Sequence, residues 1–136
     1  MNRKFSGMLV VLLACGVYGC GNEHGTPVVV TGKVTLGGMP VEKARIIFHA
    51  SDNKLPAELR TVMAELKPDG SYSLDKVYLT EYAVMFESTV AADATKSAIP
   101  VPSPLTPYGP GSKLRAKVTA DKTKFDFELP ANPPPK

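Results

Sequence analysis

The sequence predicts an all-β protein: a seven-stranded antiparallel β-sandwich that follows an N-terminal signal helix. The 136 residues include 13 prolines and 11 glycines, a composition that disfavours long helices and favours short strands joined by turns. Seven segments alternate apolar and polar residues with the period of two that is typical of a half-buried strand, and none shows sustained helical periodicity. Two facing sheets would bury the apolar side of every such strand.

Each predicted strand places its apolar residues at alternate positions. In chain order, the predicted inward-facing sets are Val28, Val30, Gly32, Val34 and Leu36; Ala44, Ile46 and Phe48; Val62, Ala64 and Leu66; Tyr72 and Leu74; Tyr82, Val84, Phe86, Ser88 and Val90; Leu114, Ala116, Val118 and Ala120; and Phe125, Phe127 and Leu129. Residues 37–38 are Gly-Gly, a hairpin signal, and residues 67–70 read Lys-Pro-Asp-Gly, a turn signal. Residues 53–59 are expected to form at most one helical turn.

The charge balance argues against a nucleic-acid-binding protein. The net charge is +3, and two of the positive charges, Arg3 and Lys4, lie at the very start. Residues 1–19 contain no acidic side chain, so the rest of the chain has a net charge of only +1. A strongly basic surface that could bind nucleic acid is therefore excluded as a leading hypothesis. With no Trp and two Cys, a disulfide scaffold or a Cys-based zinc site is also disfavoured.

Residues 1–19 are predicted to be a signal peptide. Residues 2–4 are Asn-Arg-Lys, and the uncharged stretch that follows contains the apolar run MLVVLLA. A basic start followed by an apolar run is typical of secretory signal peptides. The uncharged stretch, residues 5–22, is barely long enough to span a membrane and contains four glycines, which suits a cleaved segment better than a permanent span. An ordinary cleaved signal peptide and a membrane-spanning anchor are the alternatives.

Both cysteines lie where this segment ends, and Cys20 is the predicted site of lipidation. Residues 17–20, Val-Tyr-Gly-Cys, resemble the bacterial lipobox, which has an aliphatic residue at −3 and a small residue at −1. Residues 12–15 fit the same pattern, so Cys15 is the alternative site. Acyl chains on the cysteine would hold the protein firmly, since each buried CH₂ contributes about 0.8 kcal/mol. We therefore expect a protein of the cell envelope, lipid-anchored to a membrane and facing the periplasm or the exterior.

The predicted domain organisation has four parts. Residues 1–19 are the signal peptide, residues 20–27 a polar tether, residues 28–129 the β-sandwich and residues 130–136 a Pro-rich tail that is expected to be disordered. Within the sandwich, residues 93–113 form a long connection with five prolines, which favour an extended, stiff chain. This connection is either a strap that crosses the edge of the sandwich or a segment that binds a partner.

The sequence offers little material for catalysis or metal binding. Its two histidines, His24 and His49, fall in the tether and at the end of a predicted strand, whereas a catalytic triad or a His-based metal site needs several converging groups. Asp69 and Asp75 lack the spacing of a calcium loop, and Asp69 is predicted to be a turn residue. The P-loop pattern is missing as well. We therefore expect no enzymatic activity, no cofactor and no metal.

Several stretches of the chain resemble one known family. Residues 30–48, VTGKVTLGGMPVEKARIIF, are similar to the opening of carboxypeptidase-regulatory-like (transthyretin-like) domains, and residues 69–74, DGSYSL, are similar to a later strand of that family. Residues 107–118 and 125–129 resemble the closing pair of short predicted lipoproteins common in planctomycete genomes. The resemblance covers residues 28–129 and implies a prealbumin-like (Ig-like) sandwich of unknown function, because its signatures are structural. The terminal Tyr-Arg-Gly-Ser motif of the related hydroxyisourate hydrolases does not occur here, which argues against that activity.

The expected function is that of a non-catalytic structural or protein-interaction module of the cell envelope. Its partners would be a membrane, through the lipid anchor, and an envelope protein or a glycan, with no nucleic acid; the protein is expected to be a monomer. Carbohydrate binding is the alternative, because related sandwiches bind glycans through exposed aromatic rings. Tyr78 and Tyr108 are the candidate exposed pair, since Tyr72 and Tyr82 belong to the inward-facing sets. Tyr108 would otherwise pack on the sandwich as part of the strap.

Overall fold

The structure, a computed structural model, describes residues 24–89 and 103–132. The predicted signal helix, both cysteines, the first part of the Pro-rich connection and the end of the tail lie outside the described residues. The described part of the chain forms eight strands and two 3₁₀-helices, with no α-helix. The strands are β1 (Val28–Leu36), β2 (Met39–Pro40), β3 (Ala44–Ala50), β4 (Thr61–Glu65), β5 (Ser71–Val77), β6 (Glu81–Ser88), β7 (Arg115–Lys117) and β8 (Phe127–Leu129). The 3₁₀-helices are Ala57–Leu59 and Thr106–Tyr108.

The strands form two four-stranded sheets. In the first sheet, β1 pairs with β2 and β5 in antiparallel fashion and with β8 in parallel. In the second sheet the strand order is β4-β3-β6-β7, and every pair is antiparallel. Apolar side chains from both sheets share one core. The prediction of an all-β protein with two sheets is therefore confirmed.

The strands differ from the prediction in number and in direction. Residues Met39–Pro40 form a strand of their own, so the described part of the chain has eight strands where seven were predicted; a two-residue strand has no periodicity to detect. The pairing of β8 with β1 is parallel, where an antiparallel sandwich was predicted. Almost the whole domain separates these two strands in sequence, so no tight turn fixes their relative direction.

The hairpin between β1 and β2 depends on two consecutive glycines. Gly37 and Gly38 have φ angles of 59° and 85°, the left-handed region in which a residue with a Cβ is strained. Positive φ at both central residues is the requirement of a two-residue type I′ turn. The turn brings Leu36 opposite Met39, and the predicted hairpin is thus confirmed.

The predicted inward-facing positions form the core. Val30, Val34, Ile46, Phe48 and Tyr82 are completely buried, and the outward positions between them are exposed or half-buried. The ring of Phe48 lies 5.6–6.4 Å from four other aromatic rings, those of Tyr72, Tyr82, Phe125 and Phe127. This aromatic cluster joins the two sheets. Among the predicted inward positions that the structure describes, Ala120 is the exception: it is exposed, because β7 ends at Lys117 and the chain then turns. Val90 lies outside the described residues.

Tyr82 closes the corner between β5 and β6 with its hydroxyl group. The Tyr82 hydroxyl accepts a hydrogen bond from the Tyr78 backbone N–H at 3.0 Å and lies 3.2 Å from the Tyr78 carbonyl, to which it donates. A tyrosine hydroxyl that bonds to the backbone a few residues upstream is the tyrosine corner of Greek-key sandwiches. Burial raises the pKa of Tyr82 above its usual value, so the hydroxyl stays neutral and able to donate.

Candidate functional site

The sandwich has two ends, and the N-terminal segment enters at one of them. At this end, which we call the tether end, the His24 ring meets the Tyr78 ring edge-to-face with centroids 6.5 Å apart. Strand β1 begins here at Val28 and runs for nine residues, which is roughly 30 Å at about 3.3 Å per residue. Its other terminus, Leu36, therefore marks the opposite end of the molecule, which we call the distal end.

A groove of about 370 Å³ lies at the distal end. It is formed by the β1–β2 hairpin, the loop that leads into β3, the end of β6 and the described start of the Pro-rich connection, residues 103–105. Its lining residues are Leu36, Met39, Pro40, Val41, Glu42, Lys43, Ser88, Ser103, Pro104 and Leu105. The volume falls within the range of small-ligand and side-chain pockets, and the lining is apolar apart from one acidic side chain, one basic side chain and two serines.

The loop that leads into β3 is held in an unusual backbone conformation. Lys43 has a φ of 54°, which is uncommon for a residue with a long side chain. The backbone N–H of Thr89 donates to the Lys43 carbonyl at 2.8 Å, and this bond ties the loop to the end of β6. Glu42 and Lys43 are both exposed beside the groove. The groove can therefore accept an apolar side chain while its rim pairs with either charge.

Met39 is the most exposed large apolar side chain of this end. Its exposed fraction is 72%, the highest among the exposed large hydrophobic residues of the described ranges. Strand β2 is too short to carry it into the core, and the Gly37-Gly38 turn projects it outwards. Met39 also lines the groove, so the exposed apolar side chain is continuous with the apolar lining.

The structure does not form the aromatic pair that was predicted for glycan binding. Tyr108 is only 8% exposed, and its hydroxyl donates to the Pro130 carbonyl at 2.6 Å. Burial raises the pKa of Tyr108. Tyr78 is half-buried against His24 at the tether end. The prediction that Tyr108 and Tyr78 present an exposed platform is therefore wrong, because the ring of Tyr108 belongs to the core.

The described half of the Pro-rich connection packs on the sandwich. Leu105 and Tyr108 belong to the core, and the 3₁₀-helix between them places both on the same side. Residues 103–113 thus behave as the predicted strap, whereas residues 93–102 lie outside the described residues. The contact of Tyr108 with Pro130 also shows that the folded part continues past Leu129.

Neither His49 nor Asp69 belongs to a catalytic constellation in the described ranges. His49 is exposed, and its Nδ1 lies 2.9 Å from the Thr61 hydroxyl. Asp69 accepts hydrogen bonds from the Ser71 hydroxyl at 2.6 Å and from the Ser71 backbone N–H at 3.0 Å. These bonds lower the pKa of Asp69 below its usual value and confirm its role in the turn. No group of three His, Cys, Asp or Glu side chains within residues 24–89 and 103–132 is placed to hold a metal ion.

One buried polar contact was not predicted from the sequence. The Tyr72 hydroxyl donates to the Phe125 carbonyl at 2.7 Å inside the core. Burial and, to a smaller extent, the charge of Asp126 raise the pKa of Tyr72. The contact is formed across Gly32, which has no side chain to block it. The alternation in the sequence indicated an inward-facing Tyr72, but it carried no signal for the partner, which lies far along the chain.

The predicted lipidation site is outside the part of the chain that the structure describes, since neither Cys20 nor the alternative Cys15 falls within it. Among the residues that are described, no helix is long and apolar enough to cross a membrane.

Comparison with known proteins gives a limited result. No protein-family model matches the chain, and no curated protein matches it either. Among solved structures, BcpA, the major pilin subunit of Bacillus cereus, is similar with a TM-score of 0.46 at 10% sequence identity. The match covers 78% of this chain and 30% of the pilin, so the chain spans less than a third of that protein's length.

Proposed function

We propose that this protein is a lipid-anchored component of the cell envelope whose β-sandwich is a non-catalytic module for binding another envelope protein. The anchor is Cys20, whose thiol receives a diacylglycerol before residues 1–19 are removed. The sandwich faces the periplasm or the exterior and presents its distal end to the partner. In this proposal the module binds the envelope protein through apolar contacts and hydrogen bonds.

The observation that carries the proposal is the opposite placement of tether and groove. The chain from Cys20 to His24 is short, and four residues span at most about 14 Å. Because His24 contacts Tyr78, an anchor at Cys20 would hold the tether end close to the lipid surface. The distal groove and Met39 would then face away from the membrane, at roughly the length of β1, about 30 Å, above the tether end.

We further propose that the sandwich is of the prealbumin-like type found in carboxypeptidase-regulatory-like domains. The proposal is supported by the structural roles that several residues of the resembling segments have in this chain. Gly37 and Gly38 form the first hairpin, Gly70 has a φ of 79° in the turn before β5, and Tyr72 is buried in the core. The seven longer strands of residues 24–89 and 103–132 are assigned to the seven strands of that type, with β2 as an addition.

The proposal that the module is non-catalytic rests on the residues that the sequence provides. The folded part contains one histidine beyond the tether, His49, and its ring nitrogen is engaged with Thr61. Asp69 is engaged with Ser71. Nucleophilic or acid–base catalysis needs a group that is free to meet a substrate together with a second, orienting group.

Lipidation is tested by metabolic labelling of the full chain with an alkyne fatty acid in a bacterial host. We expect the wild-type protein and Cys15→Ala to be labelled and to fractionate with membranes, and Cys20→Ala to lose the label. Loss of the label in Cys15→Ala, with Cys20→Ala still labelled, would move the anchor to Cys15. An unlabelled wild-type protein would contradict the anchor itself.

The distal binding surface is tested by photo-crosslinking in intact cells that produce the full chain, with Met39→Lys as the variant. A charge at this 72% exposed position should weaken capture of the partner by about tenfold, because an apolar contact would be replaced by a charge that must be desolvated. Met63→Lys is the matched control: the same change on β4, away from the groove, should leave capture of that partner unchanged. Equal capture by the wild-type protein and Met39→Lys would refute the distal surface.

A further inference from the structure

Two of the four exposed large apolar side chains in the described ranges lie at the tether end. Val29 is 52% exposed and Leu79 is 46% exposed. Both are close in sequence to Val28 and Val77, which are partners in the ladder where β1 begins and β5 ends. Neither lines the groove at the distal end. These side chains therefore leave apolar surface at the end where the N-terminal segment enters.

The loop that carries Leu79 is held by hydrogen bonds on both sides of this residue. The Tyr78 N–H donates to the Tyr82 hydroxyl at 3.0 Å, and the Tyr78 carbonyl accepts from that hydroxyl and, at 3.0 Å, from the Thr80 N–H. The Thr80 carbonyl accepts from the Val118 N–H at 3.0 Å. Because the backbone groups of Tyr78 and Thr80 are bonded within the protein, the loop could enter an apolar phase without leaving these groups unpaired.

The charges of the tether end balance. Two further loops meet this end, since the Ser51 N–H donates to the Glu81 carbonyl at 3.0 Å and the Val118 N–H donates to the Thr80 carbonyl. Apart from His24, the segments that meet here carry five basic and five acidic residues, namely Lys54, Arg60, Lys76, Lys117 and Lys122 against Asp52, Glu58, Asp75, Glu81 and Asp121. Without an excess of basic residues there is little attraction to an anionic surface. Affinity for lipid would therefore come from the apolar side chains.

We propose that Leu79 and Val29 insert into the lipid surface at which the protein is anchored, which makes the tether end a membrane-docking face. The inference rests on the proposed anchor and goes beyond it, because it gives the folded domain a lipid contact of its own. The lipid is indicated by where the described chain begins: His24 contacts Tyr78, the neighbour of Leu79. Only four residues lead from Cys20 to His24, at most about 14 Å, so acyl chains on Cys20 would enter the bilayer close to Leu79.

The anchor explains why such a small apolar surface is sufficient. Binding of the docking face would be an intramolecular step for an anchored chain, so it needs far less affinity than the capture of a free protein. The half-buried ring of Tyr78 beside Leu79 suits the same position, since tyrosine is enriched at the boundary between lipid and water. A docked domain would no longer turn on its tether, and Met39 would be kept facing away from the membrane.

Fluorescence quenching of the full chain in vesicles tests the docking face. After acylation of Cys20 and removal of residues 1–19, Leu79→Cys gives the chain a single free thiol for an NBD group. The carrier is a phosphatidylcholine vesicle that contains a nitroxide-labelled lipid. We expect the nitroxide to quench the Leu79→Cys probe and to leave the same probe on Met39→Cys unchanged, because Met39 would lie about 30 Å farther from the lipid.

Two results of this experiment would overturn the inference. The first is equal quenching of the probes on Leu79→Cys and Met39→Cys. The second is protection of the Leu79→Cys probe from aqueous iodide without quenching by the lipid nitroxide, which would mean that another protein covers the loop. Raised salt concentration should leave the quenching unchanged, because the contact is apolar; loss of quenching in salt would contradict apolar insertion.

Leu79→Lys provides a second test, with the NBD group on Val29→Cys. A charge at Leu79 would have to be desolvated on insertion, so we expect the docked fraction to fall about tenfold and the quenching of the Val29→Cys probe to fall with it. Met63→Lys is the matched control: it makes the same change at a 53% exposed position on β4 and should leave the quenching unchanged. Thermal unfolding verifies that both variants are folded. Equal quenching in both variants refutes the role of Leu79.

Fatty-acid labelling of the same preparations separates this inference from the proposed function. A labelled chain whose Leu79→Cys probe is not quenched refutes the docking face and leaves the anchor at Cys20 intact. An unlabelled chain refutes the anchor, and the inference with it.

Discussion

Replacement of Gly32 by Ala is expected to lower the free energy of unfolding by about 2–4 kcal/mol, the sum of overpacking and of a lost buried hydrogen bond. A Cβ atom at this position would overlap the carbonyl oxygen of Phe125 and would lie 2.8 Å from the Tyr72 hydroxyl. The segment before β8 would have to move away from β1. That movement would break the bond from Tyr72 to Phe125 and the bond from the Phe125 N–H to the Thr31 carbonyl, which is 2.9 Å long.

The measurement is urea denaturation of residues 24–136, followed by circular dichroism. Gly109→Ala is the matched control, because Gly109 has an ordinary φ of −80° and a Cβ there would have its nearest neighbour at 3.4 Å. We expect this variant to unfold within about 0.5 kcal/mol of the wild-type protein. If Gly32→Ala were as stable as Gly109→Ala, the close approach of the Phe125 backbone to β1 would be refuted.

Truncation of Phe48 to Ala is expected to cost about 3–5 kcal/mol, the usual range for a fully buried aromatic residue. Phe48 is 0% exposed and its ring contacts aromatic residues from both sheets, namely Tyr72 and Phe127 from the first sheet and Tyr82 from the second. A cavity at this point would remove the contacts that hold the sheets together. Since natural domains are stable by about 5–15 kcal/mol, this cost would be a large part of the stability of the domain.

Phe48→Leu distinguishes the loss of volume from the loss of the ring. It keeps most of the side-chain volume, so a cost of about 1.5 kcal/mol or less is expected in the same denaturation experiment. If Phe48→Ala cost no more than Phe48→Leu, the interior would have collapsed around the cavity, and the aromatic cluster would not be the structural centre of the sandwich.

The positions that the sequence predicted well are those whose environment follows from local alternation. The central inward positions of β1, β3 and β6 are buried as predicted, whereas Val28, Leu36 and Ser88 at the strand ends are half-buried. A period of two leaves one face of each strand apolar. The hairpin at residues 37–38 and the turn at residues 67–70 were predicted equally well, because the backbone angles of these turns suit glycine and proline and few other residues.

The candidate site was much less predictable. The distal groove is formed by segments far apart in sequence, from Leu36 to Leu105, and none of them carries a pattern that marks a groove. The glycan platform failed for a related reason: a tyrosine next to prolines in a loop looks exposed in sequence, whereas the hydroxyl of Tyr108 reaches the Pro130 carbonyl. Which side chain fills a gap in a core depends on volumes that only the assembled sheets define.

By itself, the sequence determined that the chain is built from β-strands, which side of each strand faces inwards and where the tight turns fall, because these properties depend on close neighbours along the chain. The tertiary structure alone decided the parallel pairing of β8 with β1, the contact of Tyr72 with Phe125 across Gly32 and the groove at the distal end. Each of these features depends on contacts between residues that are far apart along the chain. The energy of such contacts depends on packing and hydrogen-bond geometry in three dimensions.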